Sequence, residues 1–132
     1  MTTESQAKEI VYQEFISLWA GETEVTLENE SFTPANKYVR ITIRQLGSNQ
    51  RTLGRTGNRK FRRDALVLIQ VFTPADTGTG ESDRLSKLAA NIFEGKRLNG
   101  LSFGSVSSRG VGPSGSWYQA LVEAPFDYDE IK

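Results

Sequence analysis

The sequence of 132 residues contains neither cysteine nor histidine. Without cysteine the chain can form no disulfide and offers no thiolate, which suits a reducing compartment. Without histidine it lacks the commonest general base and the commonest ligand of transition metals. We therefore expect no metal site and no cofactor, and a serine nucleophile activated by histidine is excluded.

The sequence also lacks the marks of a secreted or membrane-embedded chain. Its first ten residues, MTTESQAKEI, have no basic start followed by an apolar stretch, as a signal peptide would. No apolar run approaches the roughly 20 residues that a membrane-spanning helix needs. We accordingly expect a cytoplasmic protein with no membrane partner.

The chain has no net charge, because 16 basic residues balance 16 acidic ones. A nucleic-acid-binding role would therefore need a local concentration of charge. Segment 44–63, RQLGSNQRTLGRTGNRKFRR, provides one, since it holds seven basic residues and no acidic one. We call residues 51–63 the basic arm. Its candidate interface or lumen residues are Arg51, Arg55, Arg59, Lys60, Arg62 and Arg63.

The basic arm has three interpretations at this level. Its glycines and asparagines favour turns and almost nothing in it is apolar, which is typical of a solvated hairpin loop. Alternatively, it orders against a neighbouring subunit, or it contacts phosphates in a small nucleic-acid-binding module. Arginine suits carboxylates and phosphates alike, so composition does not choose between them. A candidate complementary acidic face precedes the arm, at Glu22, Glu24, Glu28 and Glu30.

Hydrophobic periodicity predicts two helices. Apolar residues recur at three- and four-residue spacings from Ala7 to Trp19, which indicates an amphipathic helix over about residues 3–20. A second stripe runs from Leu85 to Phe93, with Ser82 as the expected N-cap. Both helices are expected to pack on a sheet.

Apolar patterns also predict the strands. KYVRITIRQL alternates, DALVLIQVFTP is apolar on both faces and should be central, and two strands are expected around a Gly/Ser loop in the last third. A short strand at Val25 and Leu27 is a further candidate. We predict an α+β fold in one domain, residues 1–132, because no βαβ alternation or linker is present. It has a single antiparallel-rich sheet of about four to five strands, two helices packed on it and a long basic hairpin loop.

The remaining polar residues form no recognisable catalytic motif. The glycines before the second helix lack the lysine of a phosphate-binding loop. Asp127, Asp129 and Glu130 cluster late in the sequence, but nothing indicates that they are buried or matched to a nucleophile. We predict that the protein is not an enzyme.

Longer stretches carry a resemblance to a known group. After the basic arm come LVLIQVFTPADTGTGESDRLSKLAANIFEGKRL, a Gly/Ser stretch and GSWYQALVEAPFDYDE. With the first helix, these segments resemble the tail-terminator-like proteins of long-tailed bacteriophages and prophages, long described only as phage-related proteins of unknown function. The most telling pieces are VFTP at 71–74 with the glycines at 78 and 80, WY at 117–118, and PFDY at 125–128.

The resemblance implies a structural, non-enzymatic role as a single tail-terminator-like domain. Such proteins form a ring, typically hexameric, that caps the completed tail tube and joins it to the head–neck. The implied partners are copies of the same chain, the tail-tube protein and a neck or head-completion protein, with DNA only as cargo through the ring. The implied location is the virion tail, made in the bacterial host cytoplasm. In a ring, the basic arm and the acidic face would pair head to tail between neighbours.

Overall fold

The structure, a computed structural model, describes residues 4–19, 21–27, 37–50, 60–74, 80–98, 100–115 and 117–131. The described elements, in chain order, are α1 (Glu4–Trp19), β1 (Glu24–Leu27), β2 (Tyr38–Gln50), β3 (Lys60–Pro74), α2 (Gly80–Phe93), β4 (Arg97–Leu98), β5 (Leu101–Phe103), β6 (Ser107–Ser114) and β7 (Trp117–Ile131). Neither described helix has the length and apolar content that a membrane crossing requires.

The strands form one mixed sheet in the order β1-β2-β3-β7-β5-β4, and β6 pairs with the first half of β7. β3 is central, because it pairs antiparallel with β2 on one side and β7 on the other. β1 pairs with β2 in parallel. The β2–β3 register slips between Gln45 and Gly47, so Leu46 forms a bulge.

The predicted count of about four to five strands is wrong, because the described residues form seven strands in a mixed sheet. The additional strands are short or poor in β-forming residues: β4 is two residues long, and β6 runs through the Gly/Ser stretch that was predicted as a loop. Neither has an apolar pattern of its own. They pair because a neighbouring strand supplies the hydrogen-bond partners, and this tertiary context overrides local propensity.

The predicted long basic hairpin loop is also shorter than expected. β2 continues to Gln50 and β3 starts at Lys60, so residues 47–50 and 60–63 of the predicted loop lie in strands. β7 pairs with β3 as far as Ile131, opposite Lys60. Residues 46–50, 60–64 and 127–131 thus form one ribbon at this end of the sheet, which we call the three-stranded arm. Residues 51–59 lie outside the described residues.

The two predicted helices are confirmed, with one difference at a helix start. α1 covers nearly the predicted span, whereas α2 begins at Gly80, two residues before the expected N-cap. Ser82 therefore lies inside α2, where its hydroxyl is buried and has no hydrogen-bond partner among the described residues. The N-cap prediction for Ser82 is wrong.

The core lies between the helices and one face of the sheet, which we call the inner face. α1 contributes a single row at four-residue spacing, Ala7, Val11, Phe15 and Trp19, whereas Leu18 is 47% exposed. Alternate residues of the three central strands meet the helices and are almost fully buried. They are Val39, Ile41, Ile43, Ala65, Val67, Ile69, Val71, Ala120, Val122 and Ala124.

A row of aromatic rings links both helices to the sheet. Phe15 and Phe93 have ring centroids 6.2 Å apart, Phe93 and Phe103 4.9 Å, and Phe103 and Phe126 5.0 Å. Such pairs contribute about 0.5–1.5 kcal/mol each beyond the burial of their area. Because both helices are committed to the inner face, neither covers the opposite, outer face of the sheet.

Candidate functional site

Of the basic arm, the structure describes only the C-terminal part, residues 60–63. Arg51, Arg55 and Arg59 lie outside the described residues, and of Lys60 the structure describes the backbone at the start of β3. The other two candidates, Arg62 and Arg63, follow on the same strand and point to opposite faces, because side chains alternate along a strand. Both have carboxylate partners within the chain.

Arg62 lies on the outer face between two aspartates. Its Nε donates a hydrogen bond to Oδ1 of Asp64 at 3.1 Å, and its Nη2 donates one to Oδ2 of Asp127 at 3.0 Å. The three side chains are 36% to 44% exposed, so solvent screens these pairs and each adds little stability. Two carboxylates share one guanidinium, which leaves one negative charge uncompensated within this trio.

Arg63 is held more tightly, on the other face. Its Nε donates to Oε1 of Glu130 at 2.9 Å, and its guanidinium carbon lies 5.4 Å from the centre of the Phe61 ring. The Arg63 and Glu130 side chains are only 20% and 19% exposed. Arg63 is therefore committed to its own domain.

The late acidic residues are the partners that sequence reasoning missed. Asp127 and Glu130 were considered only as acid–base candidates, yet the β3–β7 register places their strand beside Arg62 and Arg63. A signal was present: KFRRD and FDYDE carry opposite charges, which attract when two such strands pair. Reading it required knowing that the last strand pairs with β3.

The predicted acidic face is partly engaged as well. Arg84 of α2 donates from Nη1 to Oε2 of Glu22 at 3.2 Å. Glu24 is exposed and makes no ion pair among the described residues. Glu28 and Glu30 lie outside the described residues.

Glu22 belongs to a larger ion-pair network. Arg84 also donates to both carboxylate oxygens of Glu81, at 2.7 and 3.1 Å, and Nζ of Lys37 lies 2.7 Å from Oε1 of Glu81. The hydrogen bond from Arg84 and then that from Lys37 lower the pKa of Glu81 to about 2. The same bonds to Glu81 and Glu22 raise the pKa of Arg84 above its ordinary value. This network joins the end of α1, the start of β2 and the first turn of α2.

The outer face carries three leucines that sequence reasoning did not single out. Leu66 and Leu68 on β3 and Leu121 on β7 are only half-buried, although their strands are the central ones. They line a shallow depression of about 320 Å³, together with Thr42 and Gln119. We call this region the open face.

Arginines border the open face on both sides. Arg40 and Arg44 project from β2, opposite Gln70 and Leu66. Among the described residues neither of them makes an ion pair. On the far side Arg109 is 69% exposed, and its Nη2 lies 3.7 Å from a carboxylate oxygen of Glu123. The open face is thus a mixed surface between cationic margins, in which three leucines lie among Thr42, Gln70, Gln119 and Glu123.

Three aromatic side chains close the end of the open face that is farthest from the three-stranded arm. Tyr38 stacks on Phe72 at 4.6 Å, and Trp117 meets Tyr38 edge-on at 5.4 Å. Tyr38 and Phe72 are nearly buried. This end is therefore packed within the chain.

Beyond the opposite end of the open face, at the base of the three-stranded arm, lies a groove of about 440 Å³. Its apolar part comprises Leu46, which is 61% exposed at the bulge, with Pro125 and Phe126. Its polar part is the Arg62, Asp64 and Asp127 trio. We call it the arm groove.

The arrangement offers little to a metal ion. In the part of the chain that the structure describes, no group of three or more His, Cys, Asp or Glu side chains is placed to hold one. The described outer face offers leucine side chains and charged groups.

Comparison with known proteins identifies the fold but no family. No family model matches the sequence, and no curated protein matches it. Solved structures do match: one protein, whose name states no function, superimposes with a TM-score of 0.64 over 92% of this chain and 94% of its own, at 14% identity. At that identity the likeness is one of fold alone.

Proposed function

We propose that this chain is a structural virion subunit: a tail terminator that forms a ring, caps the phage tail tube and joins it to the head–neck. The phage assignment rests on the sequence resemblance given above. Self-assembly has a separate support, the open face, and this observation carries the proposal. An antiparallel sheet can leave one face to solvent, and such a face is usually polar; here the two central strands instead carry three half-buried leucines on it.

The composition of the open face supports a second copy of the chain as its occupant. Half-buried leucines at the middle of a sheet lose little further entropy on docking and gain from leaving water. The arginines at the margins suit an interface rim, where charge sets partner and register more than affinity. A ring requires a heterologous contact, in which this face meets a different surface of the neighbour.

The charge pairing expected between the basic arm and the acidic face needs revision. Arg62, Arg63 and Glu22 have partners within the chain, so they are poorly placed to bind a neighbour. Arg51, Arg55 and Arg59 remain candidate interface or lumen residues on the basis of the sequence alone. The nucleic-acid-binding alternative draws no support from Arg62 and Arg63, because both guanidinium groups already bind carboxylates.

Assembly can be tested by replacing one leucine of the open face. Leu68→Glu should abolish ring formation, because it places a charge at the centre of the proposed contact. The matched control is Leu88→Glu, since Leu88 is 36% exposed but lies on α2, on the helix side of the sheet. Light scattering after size exclusion would measure mass, and electron microscopy with the tail-tube subunit would show capped tubes.

The outcomes distinguish the proposed interface from the proposed tail-terminator function. Loss of oligomers in Leu68→Glu alone, with unchanged circular dichroism, supports the interface. A wild-type chain that stays monomeric at high concentration and neither binds nor caps tail tubes would rule out the tail-terminator function.

A further inference from the structure

We propose that the arm groove is the receptor for the basic segment 51–59 of a neighbouring copy of the chain. The inference rests on the proposed self-assembly. It changes the expected acidic partner of the basic segment, which becomes the arm groove instead of the acidic face at Glu22 to Glu30.

The arm groove is shaped to take a short peptide with an apolar side chain. The bulge places Leu46 in the open at 61% exposure, so most of its side chain is in contact with water. Pro125, which is exposed, also lines the groove, whereas Phe126 is 4% exposed and packed in the core. A side chain of leucine size set against Leu46 and Pro125 would remove apolar area from water on both sides.

Its charge favours a cationic occupant. Arg62 donates one hydrogen bond to each of Asp64 and Asp127, so each carboxylate keeps acceptor capacity. With one cation for two anions, the trio carries a net negative charge. A guanidinium from outside would compensate that charge and make charge-assisted hydrogen bonds with geometry that lysine cannot match.

Segment 51–59, RTLGRTGNR, has the complementary composition. It contains three arginines and one leucine, Leu53, and it contains no acidic residue. The arginines can pair with Asp64 and Asp127, and Leu53 can pack against Leu46 and Pro125.

A second copy is the favoured donor of this segment. The arm groove adjoins the open face, because Pro125 of the groove is the strand partner of Leu66 of the open face. The proposed function already places a neighbour on the open face. A closed ring needs two different, complementary patches on each chain. The segment and the groove carry opposite charge, as two such patches would.

The groove can be tested apart from assembly with a chain that lacks the segment. Gln50 lies opposite Phe61 in the β2–β3 register, so Asn-Gly can replace residues 51–60 and close the hairpin as a two-residue turn. A fluorescent RTLGRTGNR peptide should bind this variant, as measured by anisotropy. Asp64→Asn with Asp127→Asn should weaken binding by about tenfold or more. Asp83→Asn, on the exposed side of α2, should leave it unchanged.

The donor can be identified by cross-linking, because the chain has no cysteine of its own. Leu53→Cys and Ser102→Cys are placed in separate chains, since Ser102 lines the arm groove, and the chains are mixed under mild oxidation. A disulfide-linked dimer is expected, and it should be absent when Asp83→Cys replaces Ser102→Cys. In the double variant Leu53→Cys/Ser102→Cys, an intrachain bond that persists on dilution would overturn the second-copy assignment.

The two proposals fail in different ways. If the peptide binds no better than its arginine-to-glutamine counterpart while rings still form, the arm groove is not the receptor and the ring stands. If the peptide binds and cross-links form but no tail tube is capped, the receptor stands and the tail-terminator function falls.

Discussion

At the scale of single residues, the glycine at position 110 is explained by a neighbouring side chain. Gly110 lies on β6 opposite Ala120, and a Cβ at Gly110 would come within 2.5 Å of the Tyr118 hydroxyl oxygen. That separation is well inside van der Waals contact, so a glycine at this position leaves room for the tyrosine. The glycine therefore has a packing reason that local propensity for turns does not reveal.

We predict that Gly110→Ala destabilises the protein by about 1 kcal/mol, because the partly exposed Tyr118 ring must shift to admit the methyl group. In a Tyr118→Phe background the nearest atom to the new Cβ would be the ring carbon at 3.6 Å, an ordinary contact. There the substitution should be neutral or slightly stabilising, since alanine restricts the unfolded chain. Urea unfolding of the four chains gives the double-mutant cycle; equal costs in both backgrounds would contradict this account.

The charged residues show what can and cannot be predicted at this scale. The concentration of basic residues is visible in the sequence. That Arg62 and Arg63 bind Asp127 and Glu130 was not predictable, because it depends on strands more than 60 residues apart in the chain. Exposure and partners decide whether a charge is available, and both are tertiary properties.

Among the elements, α2 is connected to its neighbours by the Lys37–Glu81–Arg84–Glu22 network. The folded-state pKa of Glu81, about 2, lies below its ordinary value of 4.5. The carboxylate therefore contributes stability above its unfolded pKa, and this contribution is lost as pH falls through the folded pKa. The group is exposed to solvent, so the effect is moderated by screening.

We expect Glu81→Gln to lower the urea midpoint at neutral pH, with the difference from wild type shrinking as pH falls from about 5 to about 2. Glu94→Gln is a matched control just after the same helix, because Glu94 makes no ion pair among the described residues. High salt should also reduce the Glu81 effect. A difference that stays constant down to acid pH would mean that the network does not act through the charge of Glu81.

Elements with a strong apolar period were predictable, and those without one were not. α1, α2 and the middles of β2 and β3 follow the spacing of residues such as Val39, Ile41 and Val67. β4 and β6 have no such pattern and exist only through pairing with β5 and β7. The ribbon ends of β2 and β3 were missed for the same reason, since polar residues such as Asn49 pair there because the partner strand is already aligned.

The candidate site follows the same division. The alternation of KYVRITIRQL predicted that Arg40 and Arg44 lie together on one face. The apolar outer side of β3 was also visible, but it was interpreted as a sign of central position. Only the placement of both helices on the inner face exposes Leu66, Leu68 and Leu121 as a patch, and periodicity does not say which face the helices cover.

At the scale of the whole molecule, β3 and β7 form the spine of the fold. β3 is hydrogen-bonded on both sides, and the inner residues of both strands lie under the helices. β1 and β4, in contrast, are short strands at the two edges.

We predict that amide hydrogen exchange is slowest in residues 67–71 and 120–124 and fastest in β1 and β4, because edge strands open without global unfolding. Mass spectrometry of exchanged peptides would resolve these ranges. If β7 exchanged as fast as β1, it would not be part of the cooperative core.

The position of β3 has a consequence for synthesis of the protein on the ribosome. Its partner on one side, β7, is the last of the described strands, and α2, β4, β5 and β6 are all made in between. Until residues 117–131 emerge, the nascent β2–β3 hairpin presents an unpaired apolar strand, which is a template for aggregation. Chaperone protection or slow post-translational folding is therefore to be expected, and premature termination before Trp117 should yield insoluble fragments.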